Sequence, residues 1–296
     1  MRLLVRASAW APSTSRCLSN AAPTHLAMVS SSLVGIHSPH LKNGDPEPAP
    51  VAGRARLFSM RFCPFAQRAA ICLAKKGILT DIVNVNLVAK PDWYFAKNPK
   101  GTVPTFELDG KAVFESLIVP EYLDGIFPDA PPILPAEPYT RARQRILVEQ
   151  LSVIKDGYVG IFMALKGKTS DEDVKAAIGK AIAALDESEK LAANNAPFFY
   201  GTAPGYADYM TYPFVDRLLV MLTEVLPVLR PTLAADVKQF TAAGFPGSGS
   251  WTKLTAWLEA AQQLDEIRAS RQSHEMQAAF LKTYIAGAPE YDIGVR

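Results

Sequence analysis

A strand gives way to a helix within the run Ser59-Met60-Arg61-Phe62-Cys63-Pro64-Phe65-Ala66-Gln67-Arg68. Pro64 suits the first helical position, because its missing N–H would have no intrahelical partner there and its φ is already helical. Cys63 is therefore the predicted N-cap residue, beside free backbone N–H groups and the positive end of the helix dipole. With Arg61 and Arg68 nearby, we expect a depressed pKa for the Cys63 thiol and a nucleophilic role. An inert cysteine buried at the junction is the structural alternative.

Strands and helices alternate around this run. The predicted elements are a strand at 56–59, a helix at 65–76 ended by Gly77, a strand at 81–87, an irregular helix within 90–98, a strand at 102–107 and a helix at 115–127. Asp109-Gly110 predicts a type I′ hairpin into a fourth strand before the last helix. A βαβ crossover followed by a hairpin and a helix is the outline of a thioredoxin-like domain.

The second half of the chain has helical periodicity. Five prolines within 128–138 predict an interdomain linker. A long helix is predicted over 140–165, where Gly157 and Gly160 would allow close packing, and Ser170 with Asp173 predicts a capping box at the next helix. The predicted fold class is α+β, with a thioredoxin-like domain at 54–128 followed by an all-α helical bundle at 139–296.

Residues 1–53 are predicted to precede the folded domains. Residues 1–44 contain no Asp or Glu, and arginines stand at positions 2, 6 and 16, which is transit-peptide composition; a disordered tail is the alternative. Met28 offers a second start that would remove these arginines. The alternating prolines of 45–50 indicate an extended linker, so that folding is expected to start near Ala55.

Composition excludes several classes of function. A net charge of +2 from 31 basic and 29 acidic residues gives no electrostatic reason to expect nucleic acid or an anionic membrane as a partner. No apolar run approaches the roughly 18 to 20 residues that span a bilayer, so we expect a soluble protein. Three cysteines, at 17, 63 and 72, do not suit a secreted disulfide framework and indicate a reducing compartment.

Several segments together resemble the omega class of glutathione transferases. They are Met60 to Arg68, Lys90 to Trp93, Asn98 to Pro104, Phe114 to Ser116 and Phe280 to Tyr284. The resemblance runs from about Arg54 onward and implies the glutathione transferase fold. It also implies glutathione as a substrate, no metal, a homodimer and a cytoplasmic location; the Arg-rich N-terminus predicts a mitochondrial location as an alternative.

The resemblance assigns the candidate site. Cys63 matches the nucleophile, and Val103-Pro104 matches a cis-prolyl turn whose free backbone groups pair with the cysteinyl unit of glutathione. Glu115 would face the γ-glutamyl ammonium, and Ser116, at a helix start, would hold the neighbouring carboxylate. The remaining glutathione-binding positions implied are Lys90, near the glycyl carboxylate, and Phe65, beside the tripeptide.

Each position also has a plain structural interpretation. Pro104 would be a strand-edge proline, Glu115 with Ser116 an ordinary capping pair, and Lys90 a solvated loop charge. Five residues in the order and spacing of a glutathione site favour the functional interpretation.

The resemblance also implies a hydrophobic substrate pocket above Cys63, formed by Tyr212, Arg217 and Tyr284, for which helix packing and surface charge are the alternative. Two positions depart from the family. Gly205 stands where a capping hydroxyl residue is usual, and Gln277 where an aromatic pocket residue is common, which leaves substrate preference open.

The absence of a second nearby cysteine indicates the reaction. The position three residues after Cys63 is Ala66, and Cys72 lies nine residues along the helix, on its opposite face. The prediction is therefore thiol transfer through a Cys63–glutathione mixed disulfide that a second glutathione resolves. Such an enzyme would reduce mixed disulfides and dehydroascorbate, with methylated arsenic as a further candidate, in detoxification. A non-catalytic redox sensor that associates with membranes, like the chloride intracellular channel proteins, is the alternative.

Overall fold

The computed structural model describes residues 29, 31–194, 196–238 and 251–295. Within them the strands form a five-stranded mixed sheet in the order β1-β3-β2-β4-β5. The strands are β1 (Leu33–Val34), β2 (Ala55–Ser59), β3 (Thr80–Asn84), β4 (Thr105–Leu108) and β5 (Lys111–Phe114). Strands β1, β3 and β2 are parallel, whereas β4 pairs antiparallel with β2 and with β5.

Helices make up most of the remainder. Those that accompany the sheet are α1 (Pro64–Lys76), α2 (Tyr94–Lys97) and α3 (Ile118–Ile126). The helical domain contains α4 (Pro138–Gln150), α5 (Ser152–Lys166), α6 (Asp171–Leu191), α7 (Tyr206–Val220), α8 (Leu226–Leu229), α9 (Thr252–Gln262), α10 (Asp265–Ser270) and α11 (His274–Ala286). A π-helical turn, Met221–Val225, continues α7, and a 3₁₀ segment, Pro231–Val237, follows α8. No helix in the described part of the chain is both long and apolar enough to cross a bilayer.

The predicted thioredoxin-like outline is confirmed. Helix α1 connects the parallel strands β2 and β3, and Gly77 ends it in the left-handed conformation, with φ of 65°. Asp109 and Gly110 both have positive φ, 51° and 73°, as a type I′ turn between β4 and β5 requires.

The expectation that folding starts near Ala55 is wrong. Leu33 and Val34 pair with β3, and Leu41 bridges to Val85, so the residues before the prolines form the edge of the sheet. Arg56 holds the proline-rich stretch against the domain by donating to the carbonyls of Pro48 and Ala49. Residues 1–28, on which the predicted leader falls, lie outside the described residues.

The single long helix predicted over 140–165 is in fact two helices. Leu151 closes α4 and precedes α5 with a ψ of −6°, outside the α-helical range, and its side chain is buried. The capping box at α6 is confirmed, because the Ser170 hydroxyl accepts from the Asp173 N–H and the Asp173 carboxylate accepts from the Ser170 N–H. The core of the helical domain lies where α5 packs against α6 and α7.

The predicted linker is a loop between α3 and α4 that is tied to α1. The buried ammonium of Lys76 donates to the carbonyls of Phe127 and Pro131 and pairs with Asp124 at 2.9 Å. Because α1 also packs against α7 and α10, it lies between the sheet and the helical domain. The N-terminal end of α1, with Cys63, therefore lies where both domains can contribute side chains.

Candidate active site

A cavity of about 490 Å³ opens at the start of α1. All seven residues predicted for the nucleophile and for glutathione binding line it, namely Cys63, Phe65, Lys90, Val103, Pro104, Glu115 and Ser116. They come from the ends of β2 and β5 and from the loops on either side of α2. The structure thus brings together residues that are up to 53 positions apart in the sequence.

Cys63 is the N-cap residue of α1, as predicted. Its φ and ψ of −75° and 119° are extended, and its side chain faces the first-turn N–H groups of Phe65 and Ala66. Phe62 stacks on Phe280 of α11, with ring centroids 4.4 Å apart, which places α11 directly behind the loop. Cys63 is 8% exposed and reaches solvent through the cavity.

The expectation of a depressed pKa for Cys63 is wrong. Burial raises the pKa of the thiol, because a thiolate loses its hydration in the interior. The N–H groups of Ala66 and Phe65 and the charges of Arg217 and Arg68 lower the pKa but do not offset the burial.

Of the two basic neighbours predicted for Cys63, Arg68 is confirmed and Arg61 is not, and the second cation near the thiol is Arg217. The guanidinium of Arg61 donates to the Ile293 carbonyl at 2.8 Å and to Gln272. Arg68 is close to the site, since it donates to Ser116 Oγ at 3.2 Å and to the carbonyl of Met210.

The Val103-Pro104 peptide bond is cis, as predicted. Among the described residues, the N–H and C=O of Val103 have no hydrogen-bond partner and border the cavity. Residues of α2 and its end fix the turn before Val103, because the Thr102 carbonyl accepts from the Tyr94 hydroxyl at 2.6 Å and from the Asn98 amide at 2.9 Å. Val103 therefore offers a fixed backbone donor and acceptor to an extended ligand.

Glu115 has a φ of 78°, a conformation that costs a residue other than glycine free energy. Its carboxylate accepts from Lys100 Nζ at 2.7 Å, and both side chains are well exposed at the mouth of the cavity. Ser116 precedes α3, which begins at Ile118, and its hydroxyl accepts from Arg68. No side chain caps α3, so the capping-pair interpretation of Glu115 and Ser116 is wrong.

Lys90 is half-buried and packs beside Gly101. A Cβ built at Gly101 would lie 3.1 Å from Lys90 Cδ and 2.8 Å from the Phe95 ring, and the φ of Gly101 is 61°. Glycine is thus required at this position by both conformation and space. The Lys90 side chain lies along the cavity wall.

The predicted substrate-pocket residues are placed differently. Tyr212 and Arg217 are fully buried on α7 in a polar network around Asp216, and neither lines the cavity that contains Cys63. Tyr284 is half-buried and packs against Phe280 and Phe162 of α5. Gln277 joins the network by donating to Asp216 Oδ2 at 2.9 Å, which explains a polar residue at this position.

The sequence prediction missed Lys100 and Leu87, which also line the cavity. Lys100 lies within the segment 98–104 that carried the family resemblance, but its pairing with Glu115 depends on the hairpin that separates them. Within the described ranges, no group of three His, Cys, Asp or Glu side chains is arranged to hold a metal ion.

Comparisons with known proteins point to one family. Residues 57–132 match the family model described as glutathione S-transferase, N-terminal domain. The chain is 39% identical to probable glutathione transferase omega-2 of Caenorhabditis briggsae, with 89% of this chain and 99% of the relative covered. It is 34% identical to glutathione S-transferase omega-1 of Mus musculus, with 86% and 97% covered.

A solved structure shows the same fold. The crystal structure of glutathione transferase Omega 3C from Trametes versicolor superposes with a TM-score of 0.59 at 25% identity, covering 76% of this chain and 91% of that one. The shared fold and the sequence matches lead to one assignment. The chain belongs to the omega-class family of glutathione transferases.

Proposed function

We propose that this protein is a glutathione-dependent thiol transferase that works through a mixed disulfide between Cys63 and glutathione. The observation that carries the proposal is the cavity that Cys63 shares with Lys90, with Glu115 and with the backbone N–H and C=O of Val103, which have no partner among the described residues. Its volume of about 490 Å³ lies within the range of about 300–1,000 Å³ typical of small-molecule sites.

Glutathione fits these groups in one orientation. Its cysteinyl unit would pair with Val103 like an added strand, which leaves its sulfur beside Cys63. Its γ-glutamyl ammonium would approach the Glu115 carboxylate, of which Lys100 occupies only Oε1. Its glycyl carboxylate would approach Lys90, so that opposite charges meet at both ends of the tripeptide.

The reaction proceeds by two thiol–disulfide exchanges. The Cys63 thiolate attacks the glutathionyl sulfur of a mixed disulfide, the new Cys63–glutathione S–S bond forms, and the other thiolate leaves and takes a proton from water. A second glutathione thiolate then attacks the glutathionyl sulfur of that bond. Glutathione disulfide leaves, and the Cys63 thiolate is regenerated.

Among the described cysteines, none competes with the second glutathione for attack on the mixed disulfide. Cys72 is fully buried, and burial raises its pKa far above the usual range, so it stays protonated. Dehydroascorbate and methylated arsenic are proposed as further substrates. Each would be reduced by two electrons while two glutathione molecules become one glutathione disulfide.

The test is turnover of hydroxyethyl disulfide and dehydroascorbate with glutathione, by wild type, Cys63→Ala and the control Cys72→Ala. We expect Cys63→Ala to lose both activities and Cys72→Ala to keep them. Intact mass after mild treatment with glutathione disulfide should show one added glutathionyl group, located on Cys63. Undiminished turnover by Cys63→Ala, or an adduct on another cysteine, would overturn the proposal.

A homodimer is proposed from family membership. Sedimentation equilibrium of the purified protein would test it, and a monomer at micromolar concentration would contradict it.

A further inference from the structure

Arg217 is a buried cation whose hydrogen-bonding capacity is only partly used. Its side chain is 2% exposed, and Nη1 alone makes its hydrogen bonds, to Gln67 Oε1 and to Asp216 Oδ2 at 3.0 Å. In the part of the chain that the structure describes, Arg217 Nε and Nη2 are buried without a partner. A buried donor without a partner costs about 1–3 kcal/mol, and more for a charged group.

The partner residue Gln67 places this cation beside Cys63. Gln67 lies four residues after Cys63, one helical turn away and on the same face of α1, and its N–H donates to the Cys63 carbonyl at 3.1 Å. The hydrogen bond from Arg217 Nη1 to Gln67 Oε1 keeps the guanidinium of Arg217 next to the face of α1 that carries the thiol. Consistent with this placement, the charge of Arg217 lowers the pKa of Cys63 more than the charge of Arg68 does.

The negative charge of Asp216 is shared among several donors. It accepts from Arg217, from His274 Nε2 at 2.9 Å, from Gln277 Nε2 at 2.9 Å and from the Tyr212 hydroxyl. Burial acts to raise the pKa of Asp216, but hydrogen bonds and the nearby cations outweigh it and lower the pKa to about 2. Asp216 is thus ionised, and it neutralises part of the charge of Arg217.

Other groups near the thiol come from every surrounding element. Arg68 of α1 is the second cation. Titratable neighbours are also Tyr94 of α2, Tyr158 of α5 and Tyr291 of the C-terminal segment, and the cavity wall adds Lys90, Lys100 and Glu115. Burial raises the pKa of each tyrosine, so that they are neutral near pH 7.

Resting on the function proposed above, we infer that Arg217 is a positioning residue for the reaction: its guanidinium, held by Gln67 and Asp216, stabilises the negative charge on Cys63 Sγ. Asp216 occupies only Nη1, and Nε and Nη2 have no partner within the described ranges, so the charge of the guanidinium is only partly neutralised. In this arrangement Arg217 adds to the first-turn N–H groups and to Arg68 in favouring the thiolate of a buried thiol, whereas Arg61 does not contribute.

The experiment measures the rate of Cys63 alkylation by iodoacetamide from pH 5 to pH 10, without glutathione. The thiolate forms a C–S bond and iodide leaves, so the rate reports the thiolate fraction. Trypsin cleaves after Arg61 and Arg68 and leaves Cys63 alone in the peptide 62–68, separate from Cys17 and Cys72. The labelled peptide is quantified by mass spectrometry.

Two variants that break the same ion pair should shift the profile in opposite directions. Arg217→Gln should raise the Cys63 pKa by about one unit and slow alkylation at pH 7 roughly tenfold. Asp216→Asn removes the neutralising carboxylate and should lower the pKa and speed alkylation. Arg217→Lys should retain much of the wild-type rate. The control Arg271→Gln loses a contact to Tyr212 and a positive charge near Asp216 but keeps the Arg217–Asp216 pair, so it should leave the profile nearly unchanged.

If the Arg217–Asp216 pair served only to hold the structure together, Arg217→Gln and Asp216→Asn would shift the alkylation profile in the same direction, and that result would overturn the inference. An unchanged profile in Arg217→Gln would overturn it as well. If Arg217→Gln does not fold, Asp216→Asn decides the question, since unchanged or slower alkylation in that variant would refute the role of Arg217. The assay contains no glutathione, so failure of the proposed thiol transfer would appear only in the turnover of Cys63→Ala.

Discussion

The side-chain oxygen of Gln144 accepts a hydrogen bond from the backbone N–H of Tyr206, at 2.8 Å, across the boundary between α4 and α7. Tyr206 is the first residue of α7, and the preceding N-cap residue is Gly205, which has no side chain to cap the helix. A Cβ at Gly205 would lie 2.8 Å from both polar atoms of the Gln144 amide. Gln144 therefore replaces the capping hydroxyl and fills the space that it would occupy.

We expect Gly205→Ser and Gln144→Ala each to lower the free energy of unfolding by about 1 kcal/mol, the first through steric conflict and the second through loss of the cap. The double variant should be destabilised by less than the sum, because the new hydroxyl can cap α7 once the amide is gone. Urea unfolding of the four proteins measures this coupling. Additive losses would show that Gln144 and Gly205 are independent.

Substitution by alanine should change the stability of the protein in opposite directions at two glycines of α5. A Cβ at Gly157 would lie 2.9 Å from Ala181 Cα of α6, whereas a Cβ at Gly160 meets no atom within 4 Å. Gly157→Ala should cost about 1–3 kcal/mol through overpacking, and Gly160→Ala should stabilise α5 by roughly 0.5–1 kcal/mol. Thermal unfolding measures both changes, and equal shifts for the two variants would contradict the close packing of α5 on α6.

The sequence predicted which elements form but not all of what they contact. Pro64, Gly77 and Asp109-Gly110 act on their own backbone, so the start and end of α1 and the β4–β5 turn could be placed from sequence alone. The pairing of Leu33 with β3 and the bond between Gln67 and Arg217 join residues 47 and 150 positions apart, and no local pattern encodes them.

The candidate site divides in the same way. The six glutathione-binding residues that the family motifs predicted all line the cavity. The sign of the Cys63 pKa shift was missed, because it depends on burial by both domains, which a helix-end argument does not include.

Glu115 should matter for glutathione binding more than for the chemical step. Glu115→Gln removes the charge opposite the γ-glutamyl ammonium, so we expect KM for glutathione to rise about tenfold while kcat changes little. Glu187→Gln is the matched control, since Glu187 has an equally exposed lysine partner, Lys190, at 2.7 Å. Steady-state kinetics at varied glutathione would test this, and an unchanged KM would remove Glu115 from the proposed site.

Stability should fall as the pH drops below about 6.5, because two histidines are held neutral. Burial lowers the pKa of His40, whose Nδ1 pairs with Asp292 while its Nε2 accepts from the Arg61 N–H. Burial and the charge of Arg61 also lower the pKa of His37. The unfolded chain therefore binds more protons, and the stability present above the unfolded pKa is lost as pH falls toward the folded pKa.

The measurement is the melting temperature between pH 5 and pH 8 for wild type, His40→Gln and His37→Gln. His40→Gln should flatten the pH dependence more than His37→Gln, since His40 has the more deeply buried ring. If the melting temperature of His40→Gln depends on pH as steeply as that of the wild type, the neutral form of His40 does not contribute to the pH dependence of stability.

The hydrogen bonds of Arg61 and His40 determine when the loop that precedes Cys63 can complete its folding during synthesis. Arg61 lies two residues before Cys63, yet its partners include the carbonyl of Ile293, 232 positions later, and His40 binds Asp292, 252 positions later. A ribosome that has completed the sheet and the cavity walls has not yet supplied Asp292 or Ile293. The loop before the reactive sulfur therefore reaches its final hydrogen bonding only when nearly the whole polypeptide has emerged, so a prematurely terminated product would carry Cys63 without this support.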